Sequence, residues 1–264
     1  MKRLMLFLVV LFLAGGSPGA TRAATPETQE KVVTAASKNL IDIDLSYRGD
    51  QIYFFGVSPV EDCDLIIRLT AEKSEKVKLS VKGRMGPFWM SVKQYEVSNA
   101  PFIYKIHSTR PVDQIVSPET AQELGLGYVA VQKQMKLHLI RGEAAADDAD
   151  LVFKGLVKIK EEANLYSIVP GPQGLEIAEG RLFKHYFRFP PAATEGRYVV
   201  ESFAFLHGQQ VGYGRDVIQI KKVGLERWLT SVSQNHPALF GIMAVFVALA
   251  AGLLVGMIFK KGGH

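Results

Sequence analysis

No charged side chain interrupts the stretch Pro237-Ala-Leu-Phe-Gly-Ile-Met-Ala-Val-Phe-Val-Ala-Leu-Ala-Ala-Gly-Leu-Leu-Val-Gly-Met-Ile-Phe259. At about 1.5 Å of rise per residue, a helix of this length covers the roughly 30 Å hydrocarbon core of a bilayer. Its side chains are apolar on every side, whereas a soluble helix needs a polar face. The stretch therefore predicts one transmembrane helix at residues 236–259, with Pro237 and Phe259 near its two ends.

Basic residues follow this predicted span immediately. Lys260 and Lys261 open a short tail that ends at His264. Because lysine- and arginine-rich flanks of membrane helices stay in the cytoplasm, residues 260–264 are predicted to be a cytoplasmic tail. The protein then crosses a cytoplasmic (inner) membrane once, and its bulk lies on the extracytoplasmic, periplasmic side.

The residues before the span have the pattern of an amphipathic helix. Within residues 225–235, one helical face carries Leu225, Trp228, Leu229 and Val232. Tryptophan favours the interface between lipid and water. We therefore predict a juxtamembrane helix at the outer membrane surface, with Trp228 as its anchor.

The amino terminus has the order of a secretory signal peptide. Positive charge at Lys2 and Arg3 precedes an apolar run from Leu4 to Ala14, and small residues surround Ala23. The run is about 11 residues long, shorter than the roughly 17 to 25 residues of a membrane-spanning helix. Residues 1–23 are therefore predicted to be a signal peptide that is cleaved after Ala23. The alternative is an uncleaved anchor.

The formal net charge of +5 belongs to the two ends of the chain. The predicted signal and tail hold the basic residues that account for it, namely Lys2, Arg3, Arg22, Lys260 and Lys261. The exported part is then close to neutral. Nucleic-acid affinity depends largely on clustered lysine and arginine, so we expect no nucleic-acid partner.

The single cysteine, Cys63, excludes an internal disulfide bond. It shares strand parity with Leu65, Ile67 and Leu69, which places it on the inward face of a strand. We expect a buried, inert thiol, and the alternative is a reactive or metal-binding one.

Residues 39–107 follow the period of β-strands. Ile41, Ile43 and Leu45 alternate with polar residues, and turn residues separate the apolar runs. The strand period returns in three later segments, 181–189, 196–205 and 217–220. These patterns predict a mainly β fold, an immunoglobulin-like antiparallel sandwich within residues 24–224. We expect one interrupted sandwich rather than two, because the later segments supply only about three strands.

A helical insertion is predicted at residues 117–164. Ser117-Pro118-Glu119 combines a capping serine, a first-turn proline and an early acidic residue, which together start a short helix. Apolar spacing predicts two further helices, over Tyr128–Ile140 and Leu151–Glu162.

The sequence lacks motifs that carry out catalysis or hold a cofactor. Its six histidines never form a ligand-like pair on one helix. It also lacks a Gly-x-Ser-x-Gly elbow, a phosphate-binding loop and a dinucleotide fingerprint. We therefore expect a protein that is not an enzyme, with no catalytic residue, no cofactor and no metal.

One glycine-rich turn, Gly83-Arg-Met-Gly-Pro-Phe-Trp89, carries aromatic and basic side chains together. Arginine and tryptophan are frequent hot spots of protein interfaces. Arg84, Phe88 and Trp89, with Arg110 from a later segment, are therefore candidates for an interaction surface. The alternative is that Trp89 caps the core of the sandwich.

Several stretches carry a further pattern, namely Ile52-Tyr-Phe-Phe-Gly56, the turn ending in Trp89, Ser108-Thr-Arg-Pro111, Phe153-Lys-Gly-Leu-Val-Lys-Ile-Lys160, Leu165-Tyr166, Gly196-Arg-Tyr198 and Pro237-Ala-Leu-Phe-Gly241. Together they resemble an uncharacterised family of transmembrane proteins first grouped from alphaproteobacteria. The resemblance covers most of the exported region and the span. Residues 151–160 depart from it, because lysines stand where the family is richer in arginine.

The resemblance implies a partner but no activity. Members of the family accompany permeases similar to sulfite or organosulfur-anion exporters, and no activity is established for them. This implies a membrane-anchored accessory protein that has the lipid bilayer and a polytopic, exporter-like permease as partners. The alternative is a membrane-tethered small-ligand or glycan-binding module that uses Phe88 and Trp89.

Overall fold

The computed structural model describes residues 30–260, and two β-sheets form the centre of the molecule. The large sheet has seven strands. In spatial order they are β1 (Glu30–Lys31), β14 (Gln209–Lys222), β13 (Gly196–Leu206), β5 (Asp64–Ala71), β8 (Tyr104–Ser108) and β10 (Tyr166–Pro170), with β3 (Leu40–Ile43) also paired to β14. The small sheet contains β2 (Val33–Ala36), β4 (Asp50–Val57), β12 (Leu182–Phe189) and β11 (Leu175–Ala178).

The two sheets share one hydrophobic core. Phe54 and Phe187 from the small sheet belong to the same buried cluster as Ile67 and Phe205 from the large sheet. Strands hold 46% of the residues and helices hold 28%, so the predicted mainly β fold is confirmed.

Some strand pairs are parallel. β1 and β3 lie parallel to β14, and β10 lies parallel to β8. A parallel pair needs a crossover rather than a hairpin, and the connection from β8 to β10 contains the helical segment. The sheets are therefore mixed, whereas the predicted immunoglobulin-like sandwich is antiparallel throughout.

A third sheet of three strands continues from the large sheet. It contains β6 (Ser74–Met85), β7 (Phe88–Pro101) and β9 (Lys136–Arg141). Since β6 follows β5 and β7 precedes β8, the β5–β8 ladder continues into a long hairpin. We call this β6–β7 hairpin, residues 74–101, the arm.

Helices fill the chain between β8 and β10. They are α1 (Val112–Ile115), α2 (Pro118–Glu123), α3 (Tyr128–Gln134) and α4 (Asp148–Glu162). The Ser117 side chain accepts a hydrogen bond from the Thr120 N–H at 3.2 Å and so caps α2, as its sequence predicts. α4 packs Val152 and Leu156 under the arm, in a small apolar cluster with Tyr95.

The predicted helix over Tyr128–Ile140 is wrong in its second half. α3 ends at Gln134, and β9 begins at Lys136. Leu137 and Leu139 pack against the small cluster under the arm while β9 pairs with β7. A strand satisfies the backbone hydrogen bonds of the β7 edge, and a helix does not, so tertiary pairing overrides the helical spacing.

Two helices follow the last strand, α5 (Gly224–Asn235) and α6 (Pro237–Lys260). The segment Pro237–Met257 has a mean hydropathy of 2.7 and is not buried in the structure. Within residues 30–260, α6 is the one helix long and apolar enough to cross a membrane. The predicted signal peptide at residues 1–23 and its cleavage site lie outside the described residues, as do residues 261–264.

Candidate functional site

The predicted aromatic turn lies at the end of the arm. Gly86 and Pro87 connect β6 to β7, and Gly86 has a φ of +61°, a left-handed conformation that glycine adopts without strain. Phe88 is 70% exposed and Trp89 is 73% exposed. Trp89 therefore does not cap the core, and the exposure favours a contact surface.

Cross-strand pairing arranges the side chains of this turn. Arg84 lies opposite Trp89, and Met85 lies opposite Phe88. The Arg84 guanidinium also donates a hydrogen bond to the Gly86 carbonyl at 3.1 Å. We call the exposed apolar residues at this end of the arm the tip, which consists of Met85, Phe88, Trp89 and Met90.

Behind the tip, the outer surface of the three-stranded sheet is basic. β6 alternates exposed polar residues with half-buried apolar ones, so alternate positions share a face. Lys78 of β6 pairs with Glu96 of β7, and Ser98 of β7 pairs with Lys136 of β9. Lys136 therefore lies on the same face as Lys78. We call this surface the basic face, which consists of Lys76, Lys78, Lys82, Arg84 and Lys136.

Little negative charge offsets the basic face. On this face of the described strands the acidic residue is Glu96, whose carboxylate lies 3.5 Å from the Lys76 ammonium, whereas Glu75 of β6 pairs with Lys160 of α4. The Lys76 side chain is 75% exposed, and an ion pair this exposed contributes little. The surface is therefore positive, although the chain between the predicted signal peptide and the tail after α6 is close to neutral in formal charge.

α4 clamps the other side of the arm through Asp148. The Asp148 carboxylate accepts hydrogen bonds from the Lys93 ammonium at 2.8 Å and from the Tyr95 hydroxyl. It also accepts the Ala145 N–H at 2.6 Å. The hydrogen bond from Lys93 is the main reason why the pKa of Asp148 is lowered to about 2. The carboxylate therefore stays ionised and keeps its hydrogen bonds at neutral pH.

A second clamp lies near the root of the arm. The buried Lys160 ammonium on α4 is 2.7 Å from the Glu75 carboxylate. It also lies 4.8 Å from the centre of the Phe102 ring. The two clamps hold the arm against α4 as a fixed element of the fold.

The arm leaves the large sheet at the end from which the membrane anchor also leaves. At its root, the Glu72 N–H donates to the Arg197 carbonyl at 3.0 Å. Arg197 in β13 lies opposite Gln219 in β14. β14 ends at Lys222, and α5 begins at Gly224. The root of the arm is therefore close to the segment that leads into the membrane.

A second exposed apolar surface lies on the outer side of the small sheet. Tyr53 of β4 pairs with Tyr186 of β12, and their ring centres are 5.9 Å apart. Val57 lies between Leu182 of β12 and Val33 of β2. We call this surface the aromatic face, and its apolar side chains are Val33, Tyr53, Phe55, Val57, Leu182 and Tyr186. The exposed Lys184 of β12 lies opposite Phe55 among them.

Sequence reasoning missed the aromatic face, although the signal is present in the run Ile52-Tyr-Phe-Phe. A strand alternates between two faces, so a run of large apolar residues either is covered on both sides or exposes some of them. Ile52 and Phe54 are buried, whereas Phe55 is 45% exposed. Gly56 leaves room for Phe183, because a Cβ there would lie 2.2 Å from the Phe183 ring.

Arg110 does not share a surface with the tip. Its guanidinium Nε donates to the Asp64 carboxylate at 2.9 Å, and the Thr109 hydroxyl donates to the same carboxylate at 2.9 Å. The hydrogen bond from Arg110 holds the pKa of Asp64 below its usual value. Asp64 starts β5, whereas the arm follows the other end of that strand, about 23 Å away at ~3.3 Å per residue.

The predicted membrane-anchor residues lie on α5 and α6. Trp228 on α5 is 50% exposed, so its ring is accessible for a contact with the lipid interface, which tryptophan favours. α5 contacts α6, which begins at Pro237 as predicted and runs through Phe259 and Lys260. Lys261 lies outside the described residues.

A β-sandwich followed by one exposed apolar helix is the architecture of a membrane-anchored protein. The model of a family described as "Putative transmembrane protein" (Alph_Pro_TM) matches residues 31–261, which include the sandwich, the arm and α6. The chain belongs to this family. The resemblance noted in the sequence is thereby confirmed. No curated protein matches the chain.

In this Alph_Pro_TM protein, two buried histidines lie between the sheets. The His107 ring centre is 4.6 Å from that of Phe187, and the His185 ring centre is 4.8 Å from that of Phe54. Burial lowers the pKa of His107 to about 4 and holds the pKa of His185 well below its usual value. Both rings therefore stay neutral at physiological pH.

Metal-binding chemistry is not assembled around these histidines. Within residues 30–260, no group of three or more His, Cys, Asp or Glu side chains could hold a metal ion. Cys63 is 6% exposed, so its predicted burial is confirmed, and burial raises the pKa of its thiol.

Proposed function

We propose that this Alph_Pro_TM protein is a single-pass, membrane-anchored interaction protein, without enzymatic activity, that accompanies a polytopic membrane protein. The observation that carries the proposal is the aromatic face. Contiguous exposed apolar surface on a folded protein marks an interaction site. Val33 is 59% exposed and Phe55 is 45% exposed, and both lie on paired strands that keep the surface fixed. A preformed flat surface of this kind suits a protein partner.

The membrane anchor supports such an interaction. α6 confines the sandwich to one membrane, which raises its effective concentration toward other proteins there. Gly241, Gly252 and Gly256 along α6 have nothing within 4 Å of the place a Cβ would occupy. Small residues of this kind let a neighbouring membrane helix approach closely. A multi-span partner therefore meets both the helix and the sandwich.

The partner class is what the family resemblance implies, and the location rests on the basic flank of the span. Family members accompany permeases similar to sulfite or organosulfur-anion exporters, and we take a permease of this kind as the partner. The basic flank at Lys260 and Lys261 favours a cytoplasmic carboxyl terminus. The sandwich then lies in the periplasm, attached to the cytoplasmic membrane.

The shape of the tip favours this function over the small-ligand or glycan-binding alternative. Small-molecule sites are concave and bury most of their ligand. Phe88 and Trp89 are 70% and 73% exposed at the end of a hairpin, so most of each side chain faces solvent. A convex aromatic end is suited to a surface contact.

Site-specific photocrosslinking in intact cells tests the proposal. A photoreactive phenylalanine analogue replaces Phe55 or Tyr186 in the full chain, and crosslinked partners are identified by mass spectrometry after detergent extraction. We expect both positions to capture one multi-span membrane protein, because both side chains lie on the aromatic face.

A matched control uses the same analogue at Lys154, an exposed position on α4. The Lys154 variant should not capture the multi-span protein. Equal capture at all three positions, or capture of nothing from the aromatic face, would overturn the proposed function. Phe55→Glu in a chain that carries the analogue at Tyr186 should remove the crosslink.

A further inference from the structure

The arm combines a row of positive charges with an apolar end. One face of β6 carries Lys78, Lys82 and Arg84. Lys82 and Arg84 are two residues apart, about 7 Å, and Lys78 and Lys82 are four residues apart, about 14 Å. The tip begins directly after Arg84. We propose that the arm binds the anionic phospholipid headgroups of the bilayer that α6 spans, with the tip inserted at the lipid interface. This inference concerns the arm alone and does not depend on the partner of the aromatic face.

The charges of the basic face are available to a ligand. In the part of the chain that the structure describes, no ion pair holds Lys78, Lys82 or Lys136. Arg84 donates to a backbone carbonyl and has no carboxylate partner there. Anionic lipid surfaces attract clusters of this kind over roughly one Debye length, about 8 to 10 Å. The basic face is therefore complementary in charge to a layer of lipid phosphates.

A bilayer also accounts for the tip. Met85 is 56% exposed and Met90 is 48% exposed, beside the more exposed Phe88 and Trp89. Aromatic side chains favour the boundary between headgroups and hydrocarbon. A soluble polyanion would bind the basic face but leave the tip in water. An anionic membrane is the ligand that takes up both surfaces.

The position of the arm in the fold allows this contact. Its root at Glu72 lies near the end of β14, from which α5 and α6 continue. β6 has 12 residues and so spans about 40 Å at ~3.3 Å per residue. α5 exposes Leu225 and Trp228, which favour the same interface. The arm and α5 would then hold the sandwich at two points on the membrane surface.

The full chain reconstituted in lipid nanodiscs tests the inference. The chain has two tryptophans, so Trp228→Phe leaves Trp89 as the single reporter. Lipids brominated near the headgroup quench tryptophan that is inserted at the interface. In nanodiscs of phosphatidylcholine and phosphatidylglycerol, we expect blue-shifted Trp89 emission and about twofold quenching. Both should weaken in phosphatidylcholine alone or at high salt, because screening reduces headgroup attraction.

Charge reversal separates lipid binding from other causes of quenching. The combined variant Lys78→Glu, Lys82→Glu and Arg84→Glu should abolish the quenching, whereas Lys154→Glu with Lys158→Glu on α4 should leave it unchanged. All five side chains are exposed, so a matching denaturation midpoint confirms that folding is intact. Unquenched Trp89 in anionic nanodiscs overturns the proposal, as does quenching that survives reversal of the arm. A crosslink from the tip to a protein, without quenching, assigns the tip to that protein instead.

Discussion

The protonation state of His185 is set by the residues that surround it in the core. Its ring stacks on Phe54 at 4.8 Å and meets Phe187 edge-on at 5.2 Å, and neither ring nitrogen has a hydrogen-bond partner in the structure. Protonation would place an unpaired charge between the sheets, which burial disfavours. His107 adds a second buried imidazole, with ring centres 6.4 Å apart. Protonation of either ring therefore destabilises the core.

We predict that the protein loses stability as the pH falls from about 6.5 toward 4. An unfolded histidine takes up its proton near pH 6.5, whereas the folded-state pKa of His107 is about 4 and that of His185 is also depressed. The unfolded state binds more protons in this window, so stability present above pH 6.5 is lost on acidification. His185→Phe keeps the stacking and removes one titrating group, so its loss should be smaller. Denaturant unfolding of the detergent-solubilised chain at each pH measures this, and equal losses would contradict the assignment.

The four candidate interaction residues differ in how much of their environment could be predicted from the sequence. Trp89 could be selected because it stands in a glycine-rich turn beside Arg84. Its exposure could not be predicted, because it depends on where the hairpin ends relative to the core. Arg110 could not be placed at all from sequence, since its partner Asp64 lies 46 positions away and becomes its neighbour only when β5 pairs with β8.

At the scale of elements, the arm is held in place by α4. A two-stranded hairpin is marginal by itself, and its stability requires further strands or a covering helix. β9 supplies the third strand, and α4 supplies the cover through the small apolar cluster and the carboxylate of Asp148. The helical period of residues 151–162 predicted this helix, which begins three residues earlier, at Asp148. The same kind of spacing wrongly predicted a helix at residues 136–140, because Leu137 and Leu139 fit one face of a strand equally well.

We predict that Asp148→Ala loosens the arm and leaves the sandwich intact. The substitution removes the acceptor for Lys93 and the Tyr95 hydroxyl, and buried donors left without partners cost roughly 1 to 3 kcal/mol. Hydrogen-exchange mass spectrometry should show faster exchange in β7 and β9 and little change in β13. Asp147→Ala is the control, because Asp147 is exposed and its side chain makes no cap hydrogen bond. Equal acceleration in the two variants would show that loss of charge, not loss of the clamp, is responsible.

At the scale of the whole molecule, the fold separates three surfaces. The basic face lies on the arm and β9, the tip lies at the end of the arm, and the aromatic face lies on the small sheet. α6 follows α5 at the end of the large sheet. The root of the arm and the start of α5 lie at the same end of that sheet. The aromatic face is therefore separate from the arm, so the proposed protein partner and the proposed lipid contact would use different surfaces.

We predict that the arm and the carboxyl terminus lie on opposite sides of the membrane. Cys63 is the single cysteine and is buried, so the parent chain should resist a membrane-impermeant maleimide. Ser91→Cys on the exposed arm should be labelled once the outer membrane is permeabilised, with the cytoplasmic membrane still intact. His264→Cys should be labelled only after the cytoplasmic membrane is broken. Labelling in the reverse order would invert the proposed orientation.

The sequence by itself determined the properties that depend on neighbours along the chain. The span follows from an uninterrupted apolar stretch, the mainly β class from alternation, and the start of α2 from the cap at Ser117. Only the tertiary structure decided which strands adjoin and which faces are covered. Lys78 and Lys136 share the basic face because β7 lies between their strands, and Phe55 is exposed because nothing in the described chain covers the outer side of β4. Long-range pairing sets both outcomes, since it places residues that local periodicity cannot relate.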